Sequence, residues 1–313
     1  MEYTILGRSG LSISVAGLGC GGPSRLGQAT GRGEQESIAV VRQAVDLGIT
    51  LFDTAEVYGT EGIVGKALAA VPRDRVVIAT KKLPPSPDHP DPVAELKQGL
   101  EQSLRRLRTD YVDIYFLHGV RSEQYRFAYD VLAPALSRLR EQGKIRAVGI
   151  TEAFSVDPGH QMLSQALEAD CWDVMMVGFS LLNQSARSRV FKKTLEKNIG
   201  VLCMFAVRRA LSQPAQLKAL IADLAHRGQI DPGAYDAADP LGFLTRHGKA
   251  ATIPEAAYRY CRHEPGIHVV LSGTGDVEHL KANVTSLLKP PLEQADARRL
   301  EALFGRVDSV SGN

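Results

Sequence analysis

The amino-acid sequence predicts an α/β chain, a (β/α)8 barrel with an N-terminal β-hairpin, a long loop after strand 7 and a C-terminal extra helix. Residues 1–313 read as a single domain. Two observations carry this expectation. Short apolar runs ending near Gly19, Asp53, Thr80, His118, Ile150, Val177, Met204 and Leu271 alternate with amphipathic stretches of helical period. Several of those runs lead into an ionisable residue, as a parallel-barrel strand does where its buried interior gives way to the C-terminal loop. With 44% hydrophobic and 23% charged residues, the composition suits a large buried core.

In chain order, YTILGRSGLSISVAG reads as two short strands around a Gly/Ser turn, a hairpin ahead of the main repeat. Helical stretches such as EQESIAVVRQAVDLG and DPVAELKQGLEQSLRRL then separate the strands. In the second, Leu96, Leu100, Leu104 and Leu107 recur at helical spacing, and Pro92 suits a first-turn position. Ile145 to Ile150 and Val269 to Leu271 have the short β-branched character of buried parallel strands. Residues 207–251 form a long connection carrying LKALIADLAHRG and a Pro/Gly/Asp-rich turn, the usual form of a lid or substrate loop. Leu292 to Phe304 reads as one more helix on the outside, and no linker divides the chain.

A formal charge of +2 without Lys/Arg runs argues against a nucleic-acid partner or a membrane patch. The apolar stretches fall short of a membrane span, and MEYTILGRSG lacks the pattern of a secretory signal. Cys20, Cys171, Cys203 and Cys261 are scattered, which suits reduced thiols in a cytoplasmic protein. No metal is expected, because His226, His247, His263 and His268 show no zinc-like pairing and Cys261 stands too close to His263.

The chemistry is carried by Asp53 and Tyr58 in FDTAEVYG, Lys81 in VVIATKK and His118 in VDIYFLHG. Singly, each has an ordinary explanation: a helix-capping Asp, a loop aromatic, a solvated Lys81–Lys82 pair and a core histidine. Together they sit at the ends of the second, third and fourth strands, so one barrel rim collects all four.

These segments resemble the aldo-keto reductases. LGRSGLSISVAGLGCGG is similar to the family's opening hairpin and first strand, and GITLFDTAEVYG to its most specific signature. SLRRLRTDYVDIYFLH is similar to the helix-to-strand segment ending in the histidine, and GKIRAVGIT to the fifth strand. The resemblance implies a TIM barrel that reduces a small aldehyde or ketone with NADP(H) or NAD(H), or oxidises the corresponding alcohol. Tyr58 would be the general acid, with its pKa lowered by Lys81. Asp53 would keep Lys81 charged and His118 would orient the carbonyl.

On the cofactor side the chain departs from the family pattern. Thr151 and Glu152 stand where the family has Ser-Asn, Met176 stands for a Gln, and Met204 holds the place of an aromatic that stacks on the nicotinamide. Phe205 follows and, by strand alternation, should point to the opposite side. LSGTGDVEHLKANV resembles the last cofactor segment, implying phosphate contact at Gly273, Thr274 and Gly275 and an adenine contact at Asn283. Asp276 would face the adenine ribose and disfavour a 2′-phosphate, and Arg209 would meet the pyrophosphate. Arg121, Arg126, Arg208 and Arg209 in the loops would suit an anionic substrate.

Two other functions fit the same fold: a nucleotide-binding regulator without turnover, and a Schiff-base lyase using Lys81 or Lys82. The sequence leaves substrate identity and oligomeric state open.

Overall fold

Inward-facing residues on alternate positions of eight strands build this molecule from the inside. The computed structural model describes residues 1–246 and 249–313, so His247 lies outside the described residues. A hairpin of β1 (Tyr3–Ile5) and β2 (Ser12–Ser14) comes first, paired antiparallel with Thr4 opposite Ile13. The barrel follows as β3 (Ala16–Gly19), β4 (Leu51–Asp53), β5 (Val77–Lys82), β6 (Val112–Val120), β7 (Ile145–Glu152), β8 (Val174–Gly178), β9 (Gly200–Met204) and β10 (Val269–Ser272). These strands close in chain order, all neighbours parallel, with Val270 of β10 opposite Ala16 of β3. This is a TIM barrel.

Two cores result from the alternation. Leu51, Val77, Ala79, Ile114, Phe116, Ala147, Val174, Met176, Leu202 and Val269 fill the interior. Leu6, Leu11 and Ile13 of the hairpin segment join this cluster and close the end of the barrel opposite the strand C-termini. The opposite faces of the strands pack on the surrounding helices in a second, larger cluster. Phe116 is accommodated because Gly149 on the neighbouring strand has no side chain; a Cβ there would lie 2.2 Å from Phe116 Cδ1.

The helix Pro92–Leu107 buries Leu96, Leu100, Leu104 and Leu107, as their spacing requires. It starts with Asp91 accepting from Ala94 N at 2.8 Å and with proline in its first turn. Residues 207–251 hold the helices Arg209–Ser212 and Pro214–His226 and a 3₁₀ turn at Gly242–Leu244. The expected outer helix spans Gln294–Phe304. Beyond it the chain returns to the C-terminal rim, where Asn183 Nδ2 donates to Val310 O at 2.9 Å and Ala210 N to Gly312 O at 3.1 Å.

Among the described residues no helix is long and apolar enough to cross a membrane, and no group of three His, Cys, Asp or Glu side chains is arranged to hold a metal. All four cysteines are free thiols.

Candidate active site

The interior rows of β4, β5 and β6 continue past their apolar residues to Asp53, Lys81 and His118, so the polar groups form the last interior layer at the C-terminal rim. Lys81 is fully buried, with Nζ 2.7 Å from Asp53 Oδ1 and donating to Thr54 O at 2.8 Å. Tyr58 closes a 3₁₀ turn, Glu56–Tyr58, whose exit at Gly59 takes a left-handed φ of 74°. Its ring lies with the Lys81 ammonium 5.0 Å from the centroid, and its hydroxyl is 3.2 Å from His118 Nε2. Tyr58 and His118 meet edge to face, with ring centroids 5.4 Å apart.

His118 reaches Tyr58 from an irregular strand end. The β6–β7 register shifts between Leu117 and Val120, where Gly119 has a φ of 60°. Gly119 N donates to Thr151 Oγ1 at 2.6 Å, which ties the bulge to β7. Gly21 supplies the surface on the other side of the phenol. A Cβ at that position would lie 2.3 Å from Tyr58 Cε2, so only glycine allows the ring its place. Lys82 points away from this group and pairs with Glu56 at 3.1 Å and Glu95 at 3.4 Å.

Burial opposes the ammonium of Lys81, but the negative charge of Asp53 and the hydrogen bond that Lys81 donates to it outweigh burial and keep the lysine protonated. Burial also pushes the Tyr58 phenol above its ordinary value, and the attraction of Lys81 only moderates that rise. The expectation of a lowered phenol pKa is therefore corrected: desolvation wins, and Tyr58 is a protonated donor at neutral pH. Burial, reinforced by the Lys81 charge, pushes His118 down to about 3, so its imidazole is neutral.

A cleft of about 1230 Å³ opens above this layer. Asp53, Tyr58, His118, Thr151, Glu152, Met176, Met204, Phe205, Arg209, Gly273, Thr274 and Asn283 line it, as do Arg208 and Asn313. Lys81 lies beneath the lining. Gly275 and Asp276 are outside it. Gly275 backs onto the loop that follows β3, where a Cβ would meet Gly27 Cα at 2.2 Å.

The whole-chain comparisons agree with this architecture. The model of the "Aldo/keto reductase family" matches residues 18–304. The chain belongs to the aldo/keto reductase family. It is 36% identical to L-galactose dehydrogenase of Arabidopsis thaliana over 99% of this chain and 97% of that protein. It is 27% identical to an uncharacterized oxidoreductase, YqkF, of Bacillus subtilis, covering 96% of this chain and 93% of that one. Among solved structures, the holo form of an aldo-keto reductase from Bacillus halodurans superposes with a TM-score of 0.74 at 24% identity, covering 99% of both chains. An aldo/keto reductase from Klebsiella pneumoniae in complex with NADP and acetate superposes with a TM-score of 0.69 at 22% identity, covering 99% of this chain and 96% of that one. These relatives make the chain a member of a family of oxidoreductases.

Within that family frame, the departures expected on the cofactor side acquire partners. Glu152 is buried and accepts from His160 Nδ1 with both oxygens, at 3.0 and 2.9 Å, and from Gly178 N at 2.8 Å. Burial raises its pKa, and His160 and the Gly178 amide oppose the rise without reversing it. His160 has a left-handed φ of 60° and stacks on Phe154 with centroids 5.3 Å apart. No sequence motif flagged His160.

Asp276 also has a definite role. Its carboxylate caps the helix Val277–Leu287 by accepting from Glu278 N at 2.9 Å and His279 N at 3.0 Å, and Arg32 Nη2 donates to its other oxygen at 2.6 Å. Asn283 Nδ2 donates to Ser272 Oγ at 2.9 Å. Phe205 departs from its expected direction. β9 ends at Met204, and Phe205 takes a φ of 69°, so strand alternation stops and both side chains line the cleft. Arg126, by contrast, pairs with Asp130 at 2.5 Å and is not part of the lining.

Proposed function

We propose that this chain is an NAD(P)H-dependent carbonyl reductase for small aldehydes or ketones, working in reverse as an alcohol dehydrogenase. The observation that carries the reading is the buried chain of contacts Asp53–Lys81–Tyr58–His118, with the phenol hydroxyl facing the cleft.

The lining residues suit a nicotinamide dinucleotide. The first amides of the helix Val277–Leu287 are taken by Asp276, whereas glycine at Gly273 allows close backbone approach at one end of the cleft. Arg209 is exposed beside it, where a pyrophosphate would find a cation. In the middle, Thr151 would take the carboxamide. The Glu152 carboxylate is shut away against His160 and Gly178, so it is not open to a bound carboxamide. Met204 and Phe205 would flank the ring, a thioether together with an aromatic edge. Bound there, the reduced nicotinamide supplies the hydride.

The remaining work belongs to the chain's own side chains. His118, neutral and in contact with the Tyr58 hydroxyl, orients the substrate carbonyl oxygen. Tyr58 donates its proton to that oxygen as negative charge develops. Lys81 then stabilises the phenolate, and Asp53 keeps the lysine charged throughout. The same fixed ammonium disfavours a Schiff-base role, which requires a neutral amine. Lys82 is engaged by two carboxylates and lies off the phenol.

Asp276 is matched by Arg32, so its charge gives no net bias against a 2′-phosphate. Calorimetric titration with NADPH and NADH, followed by turnover on an aldehyde and ketone panel, tests the proposal. Micromolar binding of either nucleotide with reduction of at least one carbonyl supports it. Tight binding without turnover across the panel favours a nucleotide-binding regulator.

A further inference from the structure

The acids lining the cleft each have an internal partner: Asp53 has Lys81, and Glu152 has His160. Arg208 has none. Among the described residues it forms no ion pair, although its guanidinium is partly withdrawn from water and desolvation pulls its pKa down. A cation so placed, without a counter-charge, is poorly stabilised by the protein alone.

It is nevertheless held in one orientation. Its guanidinium carbon lies 4.0 Å over the Phe205 ring centroid, and Phe205 is itself fixed by its left-handed backbone and by an edge contact with Phe154. Nε donates to Asn313 Oδ1 at 2.8 Å. That bond uses one corner of the guanidinium and leaves the Nη1–Nη2 edge free of protein partners among the described residues. Nη1 faces Gly22, lying 3.9 Å from where a Cβ would stand there. The preceding residue, Gly21, is the one packed against the Tyr58 ring. These two adjacent glycines thus leave room for both the phenol ring and the free guanidinium edge.

We propose that the Nη1–Nη2 edge of Arg208 is the subsite for a carboxylate, and that the substrate is a small carbonyl compound carrying one. The planar fork matches two carboxylate oxygens, while Tyr58 and His118 take the carbonyl at the other end. This rests on the carbonyl-reductase reading above. The competing assignment is that Arg208 serves the cofactor pyrophosphate, as Arg209 would.

The test compares succinic semialdehyde with butanal for the wild type, Arg208→Met, Arg208→Lys and the charge-matched surface control Arg105→Gln, alongside NADPH affinity. Succinate binding by calorimetry is measured on the same proteins and requires no turnover. The proposal expects kcat/KM to favour the semialdehyde on the order of tenfold to a hundredfold, the range of a charge-assisted hydrogen bond. Arg208→Met removes that preference mainly through KM and abolishes succinate binding. Arg208→Lys restores only part of both, and Arg105→Gln leaves both in place. Loss of NADPH affinity in Arg208→Met with the substrate ratio unchanged overturns the proposal and assigns Arg208 to the cofactor. Absence of succinate binding in the wild type also overturns it. Succinate binding that depends on Arg208, in a protein that reduces neither aldehyde, upholds the subsite while refuting the reductase reading.

Discussion

Gly21→Ala is the substitution whose effect follows most directly from the geometry around the phenol. The new methyl would lie 2.3, 2.5 and 2.6 Å from Cε2, Cδ2 and Cζ of Tyr58, whereas carbon atoms rest at about 3.5 Å or more. The ring must therefore retreat by about 1 Å. Its far side is occupied by Lys81 and His118, so the ring cannot retreat without distorting the 3.2 Å contact with His118 Nε2. A displacement of about 1 Å at a reacting group costs on the order of a hundredfold in rate. Overpacking of this kind also destabilises a fold by about 1–3 kcal/mol, which leaves a protein of ordinary stability folded. The assay is steady-state reduction of the best aldehyde of a panel, with thermal melting and NADPH titration on the same preparation. The expected result is a large fall in kcat with cofactor affinity nearly retained. Wild-type kcat in a folded Gly21→Ala protein would contradict a fixed phenol position, because the ring would then tolerate a displacement the mechanism forbids.

Two further outcomes concern buried histidines. His118 is held neutral with a pKa of about 3, below its usual value of about 6.5, so the unfolded chain takes up a proton first as pH falls. The wild type should therefore lose about 2 kcal/mol more stability than His118→Gln between about pH 7.5 and pH 5, measured by urea unfolding; parallel curves would contradict the burial effect. His160→Phe removes the side-chain partner of the buried Glu152 and should destabilise by about 3–5 kcal/mol, whereas the double substitution with Glu152→Leu should recover much of that loss. Thermal melts of the two variants decide this, and equal melting temperatures would show that the pair is not coupled.

The barrel was legible because its signals are local and repeated. β-branched runs, helical leucine spacing and Pro92 at a helix start each reflect the element they occupy, and the strand ends fell within two residues of those read from sequence. The tetrad was legible because the barrel's parity places Asp53, Lys81 and His118 on one rim. What escaped the sequence depends on tertiary context. His160 lies eight residues from Glu152 and meets it only after a left-handed turn, and no periodicity encodes that contact. Phe205 defied alternation because the strand ended one residue earlier than the rule needed. The phenol's pKa direction was misjudged because burial is a property of the fold, while the Lys81 charge was visible in the chain. Arg208 was visible only as one loop arginine among several; its lack of an acid partner among the described residues emerges from the folded cleft.

In the proposed mechanism Tyr58 delivers the proton to the carbonyl oxygen. Single-turnover oxidation of prebound NADPH by an aldehyde, followed by stopped-flow fluorescence in wild type and Tyr58→Phe, tests it most directly. Because the ring is retained, NADPH affinity should change little, while the chemical step slows on the order of a hundredfold to ten-thousandfold. A Tyr58→Phe protein that oxidises NADPH at the wild-type rate would contradict the assignment of Tyr58 as the acid.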